Sequence, residues 1–257
     1  MPIPSMKHVE PTKYTRDTKF KFKCHKGIKC FTQCCSKIDI LLTPYDVLRM
    51  KNRLGMTSEE FLEKYAYMDV DKKTSHPFAM LKMMNDPEKK CPFVTPDGST
   101  IYTDRPANCR YYPIGQASQR KGKEKGSEHE EFFFFIREPH CLGYQEDTEW
   151  TIESWRHDQE VDLYDEMNRD WKEIQLRQNL PEHGLDSNKQ AQIYTAFYDL
   201  DRFRRFVFES KFLDKFDVGD DEIERIKSDE IALMKFGIKY IKFLLMIEET
   251  LKLKKQS

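Results

Sequence analysis

The sequence is short of glycine, with 10 in 257 residues. None of them builds the glycine-rich strand-to-helix loop that cradles a nucleotide phosphate. It also lacks a long apolar run. The most apolar stretch, 238–247, is broken by Lys239 and Lys242. A membrane-spanning helix needs roughly 20 apolar residues, so no span is expected. Net charge is nearly absent as well, with 43 basic residues against 44 acidic ones, which gives no general case for a nucleic-acid partner. The first 23 residues carry no apolar run and do not read as a signal peptide. No Ser-His-Asp pattern stands out. These absences together predict a cytoplasmic protein, in a compartment where thiols stay reduced and clustered cysteines mean metal or catalysis more often than disulfides.

What the sequence does have is aromatic rings and cysteines. The 18 Phe, 12 Tyr and 3 Trp can bury enough area for a compact core despite a modest apolar share. Phe20 and Phe22 alternate with lysines, which predicts a short strand with one buried face, and 38–42 reads as a buried strand. Thr43-Pro44-Tyr45-Asp46 opens a helix that Gly55 ends, and Thr57-Ser58-Glu59-Glu60 is a capping box for a second helix. Residues 66–90 read as irregular and 115–130 as an exposed loop. The four phenylalanines within 131–136 read as a strand buried on both faces. From Thr151 the spacing predicts three long amphipathic helices: one carrying Trp155 to Trp171, one over 190–208 and one over 228–251. The expected fold is α+β, mainly α: an irregular, metal-stapled half over 1–148, with short strands and helices, and a helical domain over 149–257.

Four of the seven cysteines, Cys24, Cys30, Cys34 and Cys35, fall within twelve residues. Cys91 and Cys109 flank a segment rich in Pro, Gly and Tyr, and Cys141 follows the phenylalanine run. An odd count argues against a disulfide framework, and a bond between adjacent Cys34 and Cys35 would be strained. Isolated buried cysteines would explain one or two positions but not this cluster. Metal ligation is the remaining reading. Zinc takes four tetrahedral thiolate or imidazole ligands, whereas an iron–sulfur cluster spreads its thiolates round a larger core. Adjacent cysteines point their side chains apart, so the spacing leans toward an iron–sulfur cluster. His25 and His140 stand beside cysteines as further candidate ligands. Arg105 and Arg110 flank Cys109 and are candidates to donate hydrogen bonds to metal-bound sulfur. Residues 1–40 hold nine Lys or Arg against three acidic residues; such an excess is either a solvated face or a means of lowering thiol pKa values.

Three blocks in this order, Cys30-Phe-Thr-Gln-Cys34-Cys35, Leu42-Thr43-Pro44-Tyr45-Asp46-Val47-Leu48-Arg49 and Ile101-Tyr102-Thr-Asp-Arg105-Pro106-Ala-Asn-Cys109-Arg110-Tyr-Tyr-Pro113, resemble the YkgJ-type cysteine cluster family. The likeness covers roughly residues 20–145. That family is described as zinc- or iron-chelating, and flagellin lysine N-methylases carry a similar cysteine pattern. The resemblance implies that Cys24, Cys30, Cys34, Cys35, Cys91, Cys109 and Cys141 are all cluster cysteines. It also implies an iron–sulfur cluster or zinc as cofactor, and S-adenosylmethionine if the chain methylates a protein lysine. One departure stands out: family members often carry a cysteine just before the Ile-Tyr pair, and here that place is Ser99, so this chain is expected to hold less metal. Three functions follow as expectations: a redox or protein-modifying metalloprotein, a zinc-stapled module docking a protein partner, or a metal delivery or storage protein.

Overall fold

The computed structural model describes residues 8–120, 129–176 and 185–254. It is α+β and mainly α. Two compact units are present, and neither is a single run of chain: one takes Ile40–Lys82 and the chain from Glu166 onward, the other the described residues up to Asp39 and Met83–Asp165. Helices dominate the chain from Ile152 on. Compactness divides the chain differently, gathering residues 40–82 with the C-terminal helices.

The cysteine-bearing unit is built on short antiparallel pairs. Lys19–Lys21 pairs with Glu149–Thr151, placing Phe20 opposite Trp150. Ile114–Arg120 and His129–Phe135 form a hairpin with Ile114 opposite Phe135. The Lys-Phe alternation buries Phe20 and Phe22 on one face, where they meet Ile114, Phe133, Phe135, Ile152 and Trp155. Tyr112, Cys141 and Tyr144 pack against this cluster. The rings meet edge-on, Phe22 at 5.3 Å from Tyr144 and 5.4 Å from Trp155 between centroids, a favourable arrangement of ring quadrupoles.

In the other unit, Thr43 caps the helix Pro44–Leu54 reciprocally with Asp46, and Gly55 closes it in the left-handed conformation at φ 64°. Thr57 and Glu60 cap Ser58–Tyr65 in the same way. A three-stranded sheet has Pro77–Leu81 at its centre, between Leu41–Leu42 and Ala66–Val70. The helices Ser187–Tyr198, Leu200–Glu209 and Glu230–Leu244 complete the core.

Several expectations are corrected. Residues 66–90 are not irregular throughout: Ala66–Val70 and Pro77–Leu81 form a hairpin, and all five residues of Pro77–Leu81 are buried. Residues 115–130 do not begin as a loop, because the strand from Ile114 continues to Arg120; residues 121–128 lie outside the described part. The phenylalanine strand buries one face. Phe133 and Phe135 enter the core, while Phe132 and Phe134 are half-buried, as the two-residue period of a hairpin requires. The 38–42 strand shortens to Leu41–Leu42. The helix expected from Trp155 to Trp171 is two, Ile152–Asp158 and Val161–Leu176, separated where Glu160 turns to φ 55°. The one over 190–208 is also two, parted at Asp199, whose carboxylate caps the second. The last helix runs Glu230–Leu244 and starts from the Asp229 cap. Among the described residues, no helix is long and apolar enough to cross a membrane.

Candidate metal centre

From Cys24 to Cys35 the chain is a series of single turns. Amides of Ile28, Phe31, Gln33 and Cys35 each bond a carbonyl three residues back, at 3.0–3.1 Å. The last turn is the 3-10 helix Gln33–Cys35, entered through Thr32 at φ 68°. Tight turns of this kind let sulfurs from neighbouring residues stay close without regular secondary structure. Two backbone attachments then bring in the distant cysteines. The Cys91 amide donates to the Cys35 carbonyl at 2.8 Å, beside a bridge between Ser36 and Lys90. The Lys23 amide donates to the Gly143 carbonyl at 3.1 Å, and the Leu142 amide donates to the Cys30 sulfur at 3.2 Å. Gly143 is required at this approach, because a Cβ there would lie 2.6 Å from the Phe22 ring.

Each of six thiols therefore has at least one of the others as an electrostatic neighbour. Cys24 feels Cys30, Cys34 and Cys141; Cys91 feels Cys34; Cys141 feels Cys30 and Cys34; and Cys34 is hydrogen-bonded to Cys35. None of the seven is in a disulfide. Burial pushes the Cys24 thiol up to about 11, with the neighbouring sulfurs adding to it. The bond to Cys35, then burial, raises Cys34 far above the ordinary thiol range. Burial raises Cys91 and Cys141 as well. Mutual repulsion and desolvation both favour the protonated thiol, and a cation among the sulfurs reverses that preference.

The remaining sequence candidates are placed as follows. Cys109 lies on the helix Ala107–Tyr111 and acts on Arg105. Arg105 and Arg110 serve oxygen acceptors: Arg105 donates to the Tyr102 carbonyl at 2.6 Å and to the Gln159 side chain, and Arg110 pairs with Glu160 at 3.0 Å and donates to the Tyr164 hydroxyl. Arg110 reaches the carbonyls of Thr103, Arg105 and Gln159. Both hold the turn before Cys109 against the end of the Ile152–Asp158 helix, so their visible work is architectural. His25 accepts from the Gly27 amide at Nδ1 (3.1 Å) and faces Glu146 at Nε2 (3.2 Å), which occupies both ring nitrogens. His140 faces Glu138 at 3.2 Å. Ser99 accepts the Ile101 amide at 3.3 Å, an oxygen committed to a turn. The basic excess lies partly on a solvated face: Lys23, Lys26 and Lys29 are exposed, and Lys26 pairs with Asp97 at 2.8 Å.

Two oxygens that sequence reasoning did not single out lie in the same place. The Tyr112 hydroxyl is buried beside the Cys141 thiol, and the buried Glu138 Oε2 faces His140 Nε2 at 3.2 Å. Tyr112 faces Cys141 and Cys34, and Glu138 acts on both Tyr112 and Cys34. The only sequence signal was adjacency, each standing three residues from a cysteine.

In kind, these donors suit a chelating site: soft thiols, converging and partly buried, are ligands for zinc or for iron–sulfur centres. In spacing the site is open. Among the described residues, no three Cys, His, Asp or Glu side chains are arranged to hold a metal ion. Residues 23–148 match the CxxCxxCC family model, described as "Putative zinc- or iron-chelating domain". No curated protein and no solved structure matches the chain.

Proposed function

Since residues 23–148 match the CxxCxxCC family model, we propose that the cysteine-bearing unit binds iron or zinc through Cys24, Cys30, Cys34, Cys35, Cys91 and Cys141. The observation that carries this reading is geometric: the Cys91 amide on the Cys35 carbonyl and the Leu142 amide on the Cys30 sulfur gather thiols from three separate parts of the chain. An iron–sulfur centre is favoured over a lone zinc ion. Its thiolates surround a wider inorganic core, which thiols drawn from three parts of the chain suit better than one small tetrahedral ion.

When bound, iron–sulfur would supply one-electron redox chemistry, and zinc would supply a structural staple or a Lewis acid. The protein's part is to gather and hold the sulfurs. The Leu142 amide donates to Cys30 at 3.2 Å, an interaction that strengthens when the sulfur becomes a thiolate. The Cys91 amide on the Cys35 carbonyl fixes those two residues together. Thiols must lose their protons to bind metal, so uptake releases acid.

The test is elemental analysis with a visible spectrum on anaerobically purified protein, for the wild type and for Cys30→Ser and Cys34→Ser. Iron with sulfide and a visible band that bleaches on reduction is the expected result for the wild type, with metal lost in both variants. Zinc without colour keeps the chelating reading and removes the cluster. Full metal content and unchanged melting in both variants would overturn the ligand assignment.

A further inference from the structure

We infer that Thr32 is a positioning residue of the cysteine-bearing unit: its left-handed backbone sets the angle between Cys30 and the Cys34–Cys35 pair. This rests on the chelating reading above and adds no ligand to it. The starting point is a local rule that the chain breaks. Thr32 caps the 3-10 helix Gln33–Cys35 at φ 68°, and its side chain makes no cap bond. Thr43, Thr57 and Thr151 cap their helices from extended backbone, and the hydroxyl of each accepts an amide, as an N-cap ordinarily does. A left-handed residue belongs after a helix and is usually glycine; for a β-branched side chain it is a steric outlier. Such a conformation persists only where the surrounding structure imposes it, and residues held this way gather at functional sites.

Two attachments, one on either side of Thr32, impose the bend. On one side the Leu142 amide donates to Cys30 Sγ at 3.2 Å. On the other the Cys91 amide donates to the Cys35 carbonyl at 2.8 Å, and the Lys37 amide to the Lys89 carbonyl at 3.1 Å. The Gln33 amide bonds the Cys30 carbonyl and the Cys35 amide bonds the Thr32 carbonyl, each at 3.0 Å. Thr32 thus belongs to both turns and is the joint between a half tied to Leu142 and a half tied to Cys91. Six non-glycine residues among those described have positive φ, and Thr32, Lys37 and Lys89 are three of them. Each of the three stands two positions from a cysteine, so the strain is concentrated where the sulfurs are gathered. Glycine would meet the same bend with less strain, but would leave the joint free to take either sign of φ. Threonine, once driven into the left-handed region, has only a narrow well to occupy. The stiff joint holds the cysteine backbone in place before metal arrives, which spares binding the cost of ordering it. That cost falls instead on the metal-free fold.

Thr32→Gly and Thr32→Val are compared with the wild type, each as the full chain, by two readouts. The first is competition for Zn(II) and for Fe(II) against a chromophoric chelator under anaerobic conditions. The second is thermal melting of the metal-stripped protein. Thr32→Gly is expected to melt a few degrees higher when stripped, because the strain relieved exceeds the entropy that glycine adds to the unfolded chain. The same variant is expected to bind metal roughly tenfold more weakly, the low end of the range for residues that support a metal site. Thr32→Val keeps the branched shape without the hydroxyl and is expected to bind metal like the wild type. Stability and affinity moving in opposite directions is a signature that a merely structural residue does not give. Wild-type affinity in Thr32→Gly, beside a wild type that binds metal, overturns the inference while the chelating function stands. Stripped Thr32→Gly melting at or below the wild type also overturns it, by showing that no strain is stored there. A loss of affinity in Thr32→Val equal to that in Thr32→Gly overturns it by assigning the effect to the hydroxyl. Should Thr32→Val not fold, the two Thr32→Gly readouts decide alone. A wild type that binds neither ion sinks the chelating reading itself.

Discussion

Arg110 stands over the face of Tyr164, its guanidinium carbon 4.1 Å from the ring centroid and its Nη2 3.0 Å from the hydroxyl. The same side chain, only 2% exposed, donates to the carbonyls of Thr103, Arg105 and Gln159. A planar fork with five donors can satisfy that set, and a lysine cannot.

Arg110→Lys is therefore expected to leave at least two buried carbonyls unpaired and to destabilise the cysteine-bearing unit by about 2–4 kcal/mol. Urea unfolding followed by tryptophan fluorescence measures it. Metal content per folded molecule should be unchanged. A loss of metal with unchanged stability would return Arg110 to the role its position beside Cys109 first implied, donating hydrogen bonds to metal-bound sulfur.

Residues whose partners are close in sequence were legible from it. Thr43 with Asp46, Thr57 with Glu60 and the left-handed Gly55 are fixed by neighbours three or fewer positions away or by their own backbone, and each stands as expected. The breaks at Glu160 and Asp199 were hidden because the apolar spacing continues across them; what ends the first helix is a backbone conformation, and what starts the next is a cap. Pro77–Leu81 was missed because it is buried only through neighbours on both sides and the helix Ser187–Tyr198, which lies more than 100 residues away in the chain. The cysteines announced their chemistry through type and density. Their grouping depends on backbone bonds such as Cys91 to Cys35 and Leu142 to Cys30. Tyr112 and Glu138 carried no signal beyond adjacency to a cysteine, because what surrounds a buried oxygen is a property of the folded chain.

His76 predicts how stability depends on pH. It is fully buried, and neither ring nitrogen has a hydrogen-bond partner. Burial lowers its pKa to about 4, against the opposing pull of Asp71. Between about pH 6.5 and pH 4 the unfolded chain binds a proton that the folded chain refuses, so stability is full above 6.5 and falls as the pH drops through this window. The loss approaches about 3 kcal/mol at the acid end. Urea midpoints at pH 7 and pH 5 should differ in the wild type, and His76→Leu should flatten that difference. A wild-type slope that survives the substitution would assign it to other groups.

Gly237 tests whether a glycine in the middle of a helix is a weakness or a requirement. It lies inside Glu230–Leu244, where alanine would ordinarily gain up to about 1 kcal/mol from propensity. Here a Cβ would lie 2.4 Å from the carbonyl oxygen of Ala196, in the helix Ser187–Tyr198. The obstacle is backbone, so no rotamer change relieves it, and the two helices must move apart in a core that also holds Phe203 and Phe236. Overpacking of this kind costs about 1–3 kcal/mol and outweighs the propensity gain. Gly115 offers the contrast: its added Cβ would meet the Phe134 ring, a half-buried side chain that can swing aside. Thermal melting should therefore fall by several degrees in Gly237→Ala and by less in Gly115→Ala. If Gly237→Ala melts at or above the wild type, the close crossing of these two helices is not present in solution.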